Sequence, residues 1–71
     1  LLAMDVTLRL AERVKRYRTA RGWSQEELAE RANLHRTFVS QIERATKKST
    51  IVTVDRIARA LEVSIGQLLD E

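Results

Sequence analysis

Apolar positions recur along the chain at spacings of three and four, the period of helices that bury one face. Leu10, Val14 and Tyr17 predict a first helix over about Thr7 to Thr19, with basic residues on the opposite face and Gly22 as its stop. The second helix has the clearest start. Ser24 is placed to cap it, Glu27 three residues later to complete a capping box, and Trp23 with Leu28 to form a hydrophobic staple. It is expected to end near Ala32, where Asn33 tolerates the left-handed conformation of a sharp turn. A third helix follows from about His35 to Arg44, with Val39 and Ile42 inward. Ile51-Val52-Thr53-Val54 could alternate as a short strand, but Ile51, Val54, Ile57, Ala58 and Leu61 continue at helical spacing. A fourth helix from Ile51 to Leu61, capped by Thr50, is therefore preferred. Ser64 caps a short fifth, whose apolar residues are Ile65, Leu68 and Leu69. There is no proline and there are only two glycines. The pattern predicts an all-α fold, a compact five-helix domain over residues 7–71. Leu1 to Ala3 precede Met4 and are set aside, and residues 1–6 are expected to form a tail, foreign to the natural chain or disordered.

The second and third helices are joined by only Asn33-Leu34, a linkage suited to steep crossing. Ala29 is small enough for close approach there, and Leu28, Leu34, Val39 and Ile42 can pin the crossing. The agreement of small, turn and apolar positions favours a helix-turn-helix over a generic helical hairpin.

Composition narrows the rest. Seventy-one residues with 44% hydrophobic content allow one small core, and a domain of that size buries only roughly 60% of its unfolded surface. Without cysteine, and with His35 the single histidine, neither disulfides nor a metal site is expected to supplement it. A partner subunit is expected to do so, with Val52, Val63, Ile65, Leu68 and Leu69 as the candidate apolar surface, some of them closing the core instead. No apolar run is long enough for a membrane span and no signal-peptide pattern opens the chain, so a cytoplasmic location is expected. The net charge of +3 is compatible with a polyanionic partner. Its placement is polarised: Arg13, Lys15, Arg16, Arg18 and Arg21 lie on the first segment, and Arg36, Arg44, Lys47 and Lys48 lie around the middle. No nucleophile–base pair, phosphate-cradling glycine loop or metal cluster stands out. Neither enzymatic activity, a cofactor nor a small-molecule ligand is expected.

The run Trp23-Ser24-Gln25-Glu26-Glu27-Leu28-Ala29-Glu30-Arg31-Ala32-Asn33-Leu34-His35-Arg36-Thr37-Phe38-Val39-Ser40-Gln41-Ile42-Glu43-Arg44 resembles the Cro/phage-repressor (XRE) family of helix-turn-helix DNA-binding proteins. The similarity extends to Ile57-Ala58-Arg59-Ala60-Leu61 and spans about residues 8 to 69. Within the family, Leu34 to Ser40 with Glu43-Arg44 is most similar to controller proteins of restriction-modification systems. The resemblance implies a double-stranded DNA operator read by a homodimer, with activation or repression of transcription and contact with RNA polymerase. Prophage repressors, antitoxins and protein-docking adaptors of the same fold remain alternatives; the polar face of the third helix argues against an adaptor.

The resemblance makes the third helix the reader, with Arg36, Thr37, Ser40 and Gln41 as base contacts. Arg36 lies off the Val39–Ile42 face and suits bidentate pairing with guanine. Ser24, Gln25, His35, Phe38, Arg44, Lys47 and Lys48 are implied phosphate contacts, which fix register without reading sequence. Ser24 and His35 also have a sufficient alternative as cap residues, and Phe38 is expected either half-exposed or buried against the first helix. Arg18 and Glu43 are implied to form an ion pair between the first and third helices. Two departures affect the following loop. Ala45 stands where a glycine commonly follows Glu-Arg, so the helix is expected to end differently or run longer. Lys48-Ser49 stands where an Asn-Pro pair commonly precedes the threonine cap, and the added lysine suits a phosphate.

Overall fold

The computed structural model describes residues 2–71, with side chains from Val6 onward. Five helices follow in order: α1 (Leu2–Ala20), α2 (Gln25–Ala32), α3 (Arg36–Glu43), α4 (Ile51–Leu61) and α5 (Ile65–Leu69). No strand occurs among the described residues, and Ile51 to Val54 open α4. The first helix starts at Leu2, not near Thr7. Thr7 is a residue type that favours caps, yet here it is an interior helical position, so the tail expected over residues 1–6 is helical from Leu2 onward.

Helix starts are local chemistry. Ser24, Thr50 and Ser64 each hold extended backbone angles and accept a hydrogen bond from the amide three residues on, those of Glu27, Thr53 and Gln67. Each satisfies a donor that the helix itself leaves unpaired. The reciprocal half of the capping box forms at α5, where the Ser64 amide donates to Gln67 Oε1 at 2.8 Å. It does not form at α2. There Arg31, one turn on, takes the Glu27 carboxylate at 2.6 Å.

Helix ends are equally specific. After α1 the chain reverses at Gly22 (φ 72°), with the Trp23 amide donating back to the Arg18 carbonyl. Asn33 (φ 58°), Ala45 (φ 57°) and Glu62 (φ 60°) take the same left-handed geometry after α2, α3 and α4. At Ala45 the helix stops as a glycine would stop it: the Ala45 amide donates to the Ile42 carbonyl and the Thr46 amide to Gln41, each at 3.0 Å.

The core is continuous through all five helices. Leu10 and Val14 of α1, Leu28, Ala29 and Ala32 of α2, Val39 and Ile42 of α3, Val54, Ile57, Ala58 and Leu61 of α4, and Leu68 of α5 form one buried cluster. Ala29 and Ala32 let α2 and α3 approach closely, the close packing a steep crossing requires. The short α5 packs against α1 and α4. In so doing it turns Leu68 fully inward, so Leu68 is a core residue and not part of a partner surface. Val63, Ile65 and Leu69 are partly buried against the same core.

Candidate nucleic-acid interface

Three side chains hold the orientation of α3. Arg18 of α1 donates to both carboxylate oxygens of Glu43, from Nε at 2.6 Å and Nη2 at 2.9 Å, and from Nη1 to the Trp23 carbonyl at 2.7 Å. Side-chain exposure is only 11% for Arg18 and 4% for Glu43. The hydrogen bonds and charge of Glu43 raise the Arg18 pKa above its ordinary value, against the opposing effect of burial. Gln25 adds a third element: its Nε2 donates to Glu43 Oε1 at 3.1 Å. One carboxylate thus ties α1, the start of α2 and the end of α3 together. A bidentate guanidinium pair of this kind fixes direction as well as distance.

With the inner face so held, α3 turns its other face outward. Arg36 and Thr37 are exposed, and Ser40 and Gln41 are partly exposed. Among the described residues none of these four side chains makes an intramolecular hydrogen bond, so their donors and acceptors are free for an external partner. His35 is the N-cap: its Nδ1 accepts from the Thr37 amide at 3.1 Å, which leaves Nε2 for solvent or a partner. Ser24 is exposed while capping α2. Phe38 takes a middle course, partly buried against the core, with Lys47 Nζ 4.7 Å from its ring centroid. Arg44, Lys47 and Lys48 are exposed beside the end of α3.

The basic residues of α1 and its turn and those around α3 differ in what they bind. Arg9 donates to the Leu69 carbonyl at 2.8 Å and Arg13 to the Gln67 carbonyl at 3.0 Å, satisfying backbone at the end of α5. Arg21 does the same for the Leu61 carbonyl at the end of α4. These arginines cap helices across the fold, a role with no local signature because the partners lie 40 to 60 residues away. Arg36, Arg44, Lys47 and Lys48 have no such occupation among the described residues, and they lie on or directly after α3. Lys15 and Arg16 of α1 are also exposed without a bonded partner among the described residues, so free positive charge is not confined to α3, but four basic side chains gather there beside the free polar groups.

A family model described as "Helix-turn-helix" matches residues 14–68. The chain belongs to the helix-turn-helix family. Among its relatives, control protein C.SmaI of Serratia marcescens is 42% identical over 66 residues, which cover 93% of this chain and 79% of that protein. The restriction-modification controller protein C.AhdI from Aeromonas hydrophila superposes with a TM-score of 0.85 at 32% identity, covering 89% of this chain and 96% of that one. The biofilm regulator SinR in complex with DNA gives a TM-score of 0.82 at 35% identity, over 86% and 98% of the two chains. In this helix-turn-helix protein the motif is α2, the Asn33–His35 turn and α3. No cluster of metal-ligating side chains occurs among the described residues, and no helix there is long and apolar enough to cross a membrane.

The five apolar positions expected to meet a partner subunit are not equally available. Leu68 is unavailable, Val63, Ile65 and Leu69 are half-spent on the core, and Val52 remains 60% exposed. Two apolar residues outside that expected set, Leu8 and Ile51, are 51% and 61% exposed and line one groove. Leu8 carried a signal: it lies off the Leu10–Val14–Tyr17 stripe of α1.

Proposed function

We propose that this chain is a sequence-specific, double-stranded DNA-binding transcriptional regulator of the restriction-modification controller type. One observation carries the reading: a rigidly braced α3 presents Arg36, Thr37, Ser40 and Gln41 with no intramolecular partners, flanked by free cations. The controller proteins and the DNA-bound SinR among its relatives support it. Regulation then works by occupancy: a bound dimer blocks polymerase or recruits it, and no covalent chemistry is involved.

In this reading α3 enters the major groove. Arg36 donates two hydrogen bonds to a guanine, and Thr37, Ser40 and Gln41 reach neighbouring base edges. Ser24, Gln25, His35, Arg44, Lys47 and Lys48 contact phosphates and set register. For Gln25 the contact comes from the second amide hydrogen and the α2 N-terminus, since its first is held by Glu43. A second copy docks on exposed apolar side chains of α1 and α4, Leu8, Ile51 and Val52, not through Leu68. The two recognition helices then lie about one DNA turn (~34 Å) apart and read a pseudo-palindrome with half-sites centred about 10 base pairs apart.

The test is selection of bound sequences from a random duplex library, followed by Arg36→Ala on the selected operator. Loss of discrimination at one base pair per half-site supports base reading, at a cost of about 1–3 kcal/mol. Equal weakening on every sequence would reduce Arg36 to a phosphate contact. Six phosphate contacts per protomer should cost about a thousandfold in affinity for each protomer bound between 50 and 200 mM salt; salt-insensitive or absent binding would favour a protein-docking role.

A further inference from the structure

The loop that joins α3 to α4 is thinly supported. Thr46 anchors its start, its amide and Oγ1 both donating to the Gln41 carbonyl, and Thr50 anchors its end as the cap of α4. Between them, among the described residues, no hydrogen bond holds residues 47–49, and Ser49 Oγ is buried without a partner. The loop also borders an open groove shared with Leu8 and Ile51, so little packs beneath it. The contact that fixes its middle is Lys47 Nζ, 4.7 Å from the centroid of the Phe38 ring. Lys48, the next residue, has no equivalent seat.

Phe38 lies on the recognition helix, between the exposed Thr37 and the buried Val39. Its ring is partly buried and packs against the core. A cation held over such a ring keeps its charge and retains N–H donors directed away from the ring. A lysine free in solvent must surrender rotamer freedom when it meets a phosphate, whereas a seated one has already surrendered much of it.

We propose that Phe38 is a positioning residue: its ring seats Lys47, and through it the 44–50 loop, so that the ammonium is presented to the DNA backbone in fixed register with the reading face of α3. The proposal rests on the DNA-binding reading above and deepens it. Lys47 then acts as an extension of the recognition helix, whereas Lys48 is an independent mobile charge.

A double-mutant cycle measured by fluorescence anisotropy on the selected operator tests this. Phe38→Leu removes the π face while keeping an apolar group, and is expected to weaken binding about two- to fivefold with the base preference unchanged. Phe38→Tyr keeps the ring and should bind like the parent. In a Lys47→Ala background Phe38→Leu should have no further effect, whereas in a Lys48→Ala background its effect should persist in full. Additivity with Lys47→Ala overturns the proposal. Should Phe38→Leu fail to fold, NMR of the parent decides: upfield ring-current shifts of the Lys47 methylenes, absent for Lys48, support the seat, and their absence overturns it. A parent that binds no duplex at low salt removes the DNA reading and this proposal together. That outcome is distinguishable from additivity in a parent that does bind.

Discussion

Replacing Glu43 by glutamine changes one atom in size but removes the charge that three helices share. Arg18 donates to both Glu43 oxygens at 2.6 and 2.9 Å, with side-chain exposures of 11% and 4%, so water cannot readily replace the lost partner. A glutamine keeps one acceptor oxygen and turns an NH2 toward the other guanidinium donor, or toward the Gln25 amide that donates to the same carboxylate. Breaking a buried pair by removing one partner costs about 3–5 kcal/mol. The retained acceptor and the surviving Arg18–Trp23 carbonyl bond place Glu43→Gln at the lower end, about 3 kcal/mol. Domains have roughly 0.05–0.15 kcal/mol of stability per residue, so for a 71-residue chain the loss is roughly a quarter or more of the total. In urea, with a slope near ~1–1.5 kcal/mol/M, the midpoint should fall by about 2–3 M at constant slope. Far-UV circular dichroism is the probe, with the single Trp23 fluorescence as a local cross-check. A midpoint within about 0.5 M of the parent would refute the coupling. Arg18→Met added to Glu43→Gln should recover part of the loss, because it removes the stranded charge. Arg18 has a raised pKa in the folded state, so its share of stability is complete below its ordinary range and is lost only as pH rises through the folded value. The deficit of Glu43→Gln should therefore be unchanged between about pH 7 and 9.

Backbone strain gives a paired prediction: Ala45→Gly relieves a left-handed alanine at φ 57° and should raise stability by about 1 kcal/mol. Gly22→Ala meets no atom within 4 Å yet sits at φ 72°, and should cost about 1–2 kcal/mol by thermal unfolding. Leu68→Ala should destabilise the fold by about 2–5 kcal/mol, since Leu68 is fully buried. Val52→Asp, at a position 60% exposed, should leave the monomer within ~0.5 kcal/mol and instead weaken dimerisation in sedimentation velocity. A Val52→Asp protein that dimerises like the parent would move the interface elsewhere.

The parts of the fold legible in the sequence were those decided within a few residues. Ser24, Thr50 and Ser64 declared three helix starts, Asn33 one helix end, and the Val39–Ile42 spacing the inner face of α3. Competition between neighbours was less legible: Arg31 diverted Glu27 from the capping box, and Gln67, unremarked, formed one with Ser64. Contacts across the fold left no local trace. Arg13 and Arg21 counted toward a basic surface in the sequence but, like Arg9, are bound to carbonyls of α4 and α5. A five-residue helix carries too few turns for its pattern to separate core from interface, which is why Leu68 was grouped with Val52. The face proposed for recognition follows from family resemblance and helical spacing together; the contact of Lys47 with the Phe38 ring emerges only when loop and helix are brought together.

The node of Arg18, Gln25 and Glu43 lies wholly on the inner side of α3, and the side chains of Arg36, Thr37, Ser40 and Gln41 play no part in it. Under the proposed function, orientation and content are therefore written on different residues of the same eight-residue helix. Substitutions on the outer face can change what is read while the pose of the helix and the stability of the domain stay as they were. A chain built this way can acquire a new operator without first having to refold around it.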